Sequence, residues 1–139
     1  MASFGVNDVI AVAELRAALR QFLRRSERVA RQSGLTPQRY LLLLMIKGAP
    51  GGSEQSTVTE LSERLQLAQS TVTELVSRAE EAGLVERKQS QKDARVALLR
   101  LTDEGERRLM QSFTELARER DQVRDAFAHL DGMLPEGGN

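Results

Sequence analysis

These 139 residues contain no cysteine and no tryptophan, and His129 is the only histidine. Without a thiol there can be no disulfide, no thiolate metal site and no thiol redox switch. A single histidine beside Phe127 and Leu130 lacks the partners that metal ligation or histidine-based catalysis requires. The carboxylates are interleaved with arginines, as on solvated helix faces, and no nucleophile has a recognisable base beside it. The residues therefore imply no enzyme and no cofactor. A net charge is also missing, since 20 Lys and Arg face 20 Asp and Glu. A nucleic-acid binder is usually more basic. The longest strongly apolar run is "YLLLLMI", Tyr40–Ile46, well short of the ~20 residues that span a bilayer. Arg16, Arg20, Arg24 and Arg25 interrupt the apolar residues near the N-terminus, so no signal-peptide pattern forms there. The chain reads as soluble and cytosolic, with no membrane partner.

What the chain does have is charge asymmetry and helical periodicity. Residues 1–40 hold seven Arg against three acids, and residues 102–139 hold five Arg against nine acids. Those segments sum to +4 and −4, so any basic patch is local. Val12, Leu15, Leu19, Phe22, Ser26 and Val29 recur at spacings of three and four, one stripe of a long helix that Gly34 can stop. Thr36-Pro37 opens a second helix, with Thr as the cap and Pro in the first turn. Because "YLLLLMI" is apolar all round, this helix belongs in the core. Leu109, Phe113, Leu116, Arg120, Val123, Phe127 and Leu130 continue the same spacing in one long last helix, capped by Thr102.

The middle is more articulated. "KGAPGGSEQS", Lys47–Ser56, is a loop, and it lacks the Gly-Lys-Ser/Thr ending of a phosphate-binding loop. The words "TVTEL" then occur twice, at Thr57–Leu61 and Thr71–Leu75. Thr57 and Glu60 make a capping box for a helix that runs through Leu65. "LQLAQS" is a turn, and the second copy begins a longer helix with Val72, Leu75, Val76 and Ala79 facing inward and Gly83 as its stop. Two β-prone pieces around a polar tip follow in Leu84–Leu101, forming a hairpin. Two short helices, a tight turn and a hairpin make a winged helix-turn-helix.

Within that arrangement, "STVTELVSRAEEAGLVERKQSQKDARVALLRLTDEG", Ser70–Gly105, resembles the core of the MarR family of transcriptional regulators. The helix ending "EEAGLVER", the Asp93-x-Arg95 wing and the "LTDEG" entry to the last helix carry the resemblance, and the order of the rest agrees. It implies a mainly α fold with a small β-hairpin: a winged helix-turn-helix at 36–101, flanked by dimerisation helices at 1–35 and 102–139. It further implies a homodimer on a pseudo-palindromic double-stranded DNA operator, a repressor in the bacterial or archaeal cytosol released by a small aromatic or phenolic ligand. Three departures are Ala68 at the cap of the second helix, Glu74 on its outer side, and a C-terminal segment shorter than in many relatives. Glu74 can accept from a cytosine amino group or repel phosphates. The alternative is a helical ligand-binding or interaction dimer with little DNA affinity.

Gln69, Ser70, Thr71 and Thr73 fall in the first turn of the recognition helix, where residues meet base edges, and Arg78 lies a turn later, placed for a phosphate or for an ion pair with Glu74 or Glu81. Lys88, Lys92, Asp93 and Arg95 surround the hairpin tip. The resemblance sends Arg95 into a minor groove with Asp93 orienting it; a solvated tip with a local ion pair is the plain reading. Val12, Leu15, Leu19, Leu116, Val123 and Phe127 form the expected dimer seam. An implied ligand pocket could use Phe22, Tyr40 and Met45, although apolar residues at these spacings equally make plain core.

Overall fold

A computed structural model describes residues 4–131. In chain order it contains α1 (Val6–Gln32), α2 (Pro37–Lys47), a short 3-10 turn (Pro50–Gly52), β1 (Gln55–Ser56), α3 (Val58–Leu65), α4 (Gln69–Glu81), β2 (Val85–Gln89), β3 (Ala97–Leu101), α5 (Asp103–Glu115) and α6 (Ala117–Asp131). The fold is mainly helical with one small antiparallel sheet, in the order β1-β3-β2. Two compact units result. One spans Ala30–Ser112, and the other combines the two terminal segments, up to Val29 and from Phe113.

The middle unit is built around α2. Thr36 caps it through a 3.1 Å hydrogen bond from the Arg39 amide, with Pro37 as its first residue. Tyr40, Leu42, Leu43 and Ile46 are buried, whereas Leu41 is exposed and Leu44 and Met45 are half-buried. The apolar run therefore keeps one open side. Leu61 of α3, Val72 and Val76 of α4, Leu84, Leu99 of β3 and Leu109 of α5 complete the core. The entry to α5 is locked onto the end of α4. Thr102 Oγ1 accepts from the Gly105 amide at 3.1 Å and donates to the Gly83 carbonyl at 2.6 Å, while the Thr102 amide reaches the Leu84 carbonyl at 3.0 Å. A Cβ on Gly105 would lie 2.1 Å from that carbonyl oxygen. The glycine of "LTDEG" is required by this close approach.

The loop expected at Lys47–Ser56 holds a strand that the sequence did not suggest. Gln55 pairs with Arg100 and Ser56 with Leu99, adding a third strand to the hairpin. Lys47 ties the loop down by bridging Glu54 and Glu106.

In the terminal unit, α1 has the expected stripe, and its burial grows along the chain. Val12 is exposed, Leu19 and Phe22 are half-buried, and Ser26 and Val29 are buried; Leu15, 9% exposed, is the early exception. The single last helix of the sequence reading is corrected to two, because the chain breaks at Leu116. No proline or glycine causes the break. The Phe113 carbonyl is taken by the Leu116 amide, three residues on, and by the Arg120 guanidinium, which also stacks 3.7 Å above the Phe113 ring. A side chain inserted into the helical ladder is a known cause of such kinks.

Candidate nucleic-acid interface

The helix-turn-helix is assembled from α3, α4 and the turn between them. Thr57 caps α3 by accepting from the Glu60 amide at 3.2 Å. The Glu60 carboxylate accepts from the Ser56 hydroxyl at 3.1 Å. The chain reverses through Gln66, which adopts a left-handed conformation at φ 55. It then enters α4 at Gln69, two residues before the repeated "TVTEL". The two copies are therefore not equivalent helix starts. Thr57 is a cap, whereas Thr71 lies inside the first turn, and Ala68 occupies the cap position without a side-chain hydrogen bond. An uncapped helix start of this kind costs about 1 kcal/mol against Ser or Asp.

Val72, Leu75, Val76 and Ala79 bury one side of α4. Gln69, Ser70, Thr71, Thr73, Glu74 and Arg78 are exposed. Gln69 Nε2 also donates to Thr59 Oγ1 at 3.4 Å, bracing the start of α4 against α3. Arg78 is paired with Glu74 at 2.6 Å, the first of the two partners open to it in the sequence. A second pair escaped the sequence reading: Arg87 of β2 meets Glu80 of α4 at 2.6 Å, joining recognition helix to hairpin. The two residues lie on different elements, a helix and a strand, so no periodicity announces them.

The hairpin runs from Val85 paired with Leu101 to Gln89 paired with Ala97. Its tip is organised by side chains. The Ser90 hydroxyl accepts from the Lys92 and Asp93 amides at 3.2 and 3.4 Å, and Gln89 donates to the Ala94 carbonyl at 2.9 Å. Asp93 accepts from the Arg95 amide at 3.0 Å and from its guanidinium at 3.2 and 3.4 Å. Those bonds, the backbone one first, hold the Asp93 carboxyl below its ordinary pKa. The Arg95 side chain is nonetheless 91% exposed. Among the described residues, Lys88 and Lys92 are exposed and have no ion-pair partner. A cleft of about 670 Å³ lies between this hairpin and the start of α3, lined by Gln55, Thr57, Glu60, Lys88, Lys92 and Leu98 among others.

The other anticipated residues lie on α1, α2 and α6 and at the α5–α6 break. Val12 and Phe127 are exposed at 47% and 49%, and Val123 is half-buried; Leu116, like Leu15, is buried within the single chain and needs no second copy for that. Tyr40 is buried and Met45 half-buried on α2, while Phe22 belongs to the terminal unit. The described residues contain no group of three or more His, Asp or Glu side chains able to hold a metal. None of their helices is long and apolar enough to cross a membrane.

Known proteins share this arrangement. A profile described as "MarR family" matches residues 33–96. The organic hydroperoxide resistance transcriptional regulator of Bacillus subtilis is 32% identical over 91 residues, 66% of this chain and 59% of that protein. The chain spans about half the length of the curated relatives it matches. A MarR family protein from Bacillus stearothermophilus superposes with a TM-score of 0.71 at 27% identity, over 90% of this chain and 85% of that one. AbfR, solved overoxidised and bound to DNA, gives 0.58 at 27% identity over 86% and 85%.

Proposed function

We propose that the chain is a member of the MarR family of transcriptional regulators, and that it binds a pseudo-palindromic double-stranded DNA operator as a homodimer and acts there as a repressor. In this reading α4 enters the major groove and the β2–β3 hairpin is a wing over the flanking minor groove. The observation that carries it is the hairpin tip. A guanidinium that is almost wholly exposed, on a loop fixed by serine and aspartate hydrogen bonds, is suited to an electronegative groove. Lys88 and Lys92 add unpaired positive charge on the same hairpin. Ser70, Thr71 and Thr73 supply the polar first turn of the recognition helix, with Gln69 at its head.

Pairing of two copies is supported by the terminal unit. Phe4, Val6, Val9, Ile10, Val12 and Phe127 are each more than 45% exposed there, and exposed large apolar side chains in such number favour association. Release by a small aromatic ligand comes from the family likeness alone. Thiol oxidation is not available as a release signal, because the chain has no cysteine.

One observation favours a second reading, an interaction dimer with little DNA affinity. The α4 helix carries Glu74, Glu80 and Glu81 against a single Arg78. Titration of operator-length DNA at low salt, repeated at rising salt, separates the two. DNA binding that weakens as salt releases counterions supports the first. No binding at any salt supports the second.

A further inference from the structure

The acidic residue at the middle of the α4 outer face has a more specific use. Val72, Leu75, Val76 and Ala79 pack inward. The line diametrically opposite them runs through Ser70, Glu74, Ser77 and Glu81, at spacings of four, three and four. Glu74 lies at the centre of that line, between the small side chains of Ser70 and Ser77. Arg78 holds its Oε1 at 2.6 Å, and both side chains remain exposed, at 65% for Glu74 and 61% for Arg78.

We propose that Glu74 is a specificity-determining residue that reads cytosine, with Arg78 as its positioning residue. This inference rests on the DNA-binding reading of the previous subsection. The chemistry of the major groove supports cytosine over the other bases. Guanine and thymine present only acceptors there, which repel a carboxylate. Adenine offers an amino donor, but beside the N7 acceptor. Cytosine presents its amino donor with no adjacent acceptor, so it alone suits an acceptor-only side chain. The Arg78 contact leaves Oε2 to accept that hydrogen bond. It also cancels the charge that would otherwise be brought among phosphates. A carboxylate free to rotate and unneutralised would be a poor reader, whereas a clamped one has a fixed direction and little net charge.

Selection of bound sequences from random double-stranded DNA by the full chain tests this, with wild type, Glu74→Ala, Glu74→Gln and Arg78→Ala run in parallel. Wild type should enrich a cytosine in each half-site, disfavouring other bases there roughly tenfold. Glu74→Ala should lose the preference at that one position and keep the rest of the motif. Glu74→Gln should shift it toward adenine, which an amide pairs with twice. Arg78→Ala should blur the same position while wild-type helicity is retained, and Arg78→Lys should restore part of it. If Glu74→Ala selects the wild-type motif with its cytosine intact, or binds every sequence more tightly with no change of motif, Glu74 is only a repulsive charge and the inference fails alone. If wild type enriches nothing at low salt, the DNA-binding reading fails and takes this inference with it.

Discussion

The two compact units of this chain handle apolar residues in opposite ways. In the middle unit Leu42, Leu43, Ile46, Leu61, Val72, Val76, Leu84, Leu99 and Leu109 are all 1% exposed or less. In the terminal segments Phe4, Val6, Val9 and Ile10 range from 48% to 81% exposed, and α6 contains no fully buried side chain among its described positions. Helices of both units carry apolar residues at helical spacing. Periodicity therefore marks a face that needs covering; in the middle unit the same chain covers it almost completely, whereas in the terminal unit it covers Ala11, Leu15, Val29 and Leu116 and leaves the rest half-buried or exposed.

The sharpest way to break that contrast is to carve into the middle. Leu42→Ala should lower its unfolding free energy by about 2–5 kcal/mol, because a fully buried leucine leaves both lost contacts and a cavity. Urea denaturation followed by circular dichroism measures it; an unchanged midpoint would mean that α2 is not the centre of the core. The Lys double variant at Val12 and Phe127 should do the reverse. It should leave helicity largely intact but weaken self-association by roughly a hundredfold, since the lysines would be charges without partners in a closed apolar seam. Sedimentation at micromolar concentration reads this, and an undiminished dimer would move the seam elsewhere. At the wing, Arg95→Ala should weaken binding chiefly on A·T-rich flanks and reduce the salt slope by about one unit. Asp93→Ala should do less, because the positive charge remains. Equal binding and slope for Arg95→Ala and wild type would leave the hairpin with no DNA contact to explain.

The smallest effect concerns acid. Hydrogen bonds from Arg107 and then Arg108 hold the Glu104 carboxyl down at about 2. A pKa lowered on folding contributes stability above the unfolded carboxylate range near 4.5, and loses it as pH falls toward 2. Glu104→Gln should therefore lose a small increment of stability at neutral pH, flatten that part of the acid limb, and converge with wild type toward pH 2. Thermal melts across pH 2–5 check it, with identical wild-type and variant profiles as the contrary result.

Local chemistry was the most legible part of this fold. Thr36-Pro37, Thr57 and Thr102 each announce a helix start, and each side chain accepts the expected amide. The hairpin and its Asp93–Arg95 contact were readable for the same reason, since a single residue separates the partners. Long-range consequences were not. The two residues of β1 follow a glycine-rich stretch and become a strand only through pairing with β3. The break at Leu116 has no breaker residue and depends on where the Arg120 side chain settles. The repeated "TVTEL" marks a cap only at Thr57, while α4 starts from Ala68, where the sequence already shows that no side chain can cap it. Arg87 with Glu80 is again a tertiary meeting of two elements.

The turn at Pro50–Gly52 has a practical side. A Cβ built on Gly51 or Gly52 would touch nothing within 4 Å, and the neighbouring Ser53 is exposed with ordinary backbone angles. Since the chain has no native thiol, Ser53→Cys would create a single chemical handle at a surface position outside both α4 and the hairpin. A dye attached there would report rotational diffusion by fluorescence anisotropy, turning the onset and loss of each larger complex into a change of tumbling time.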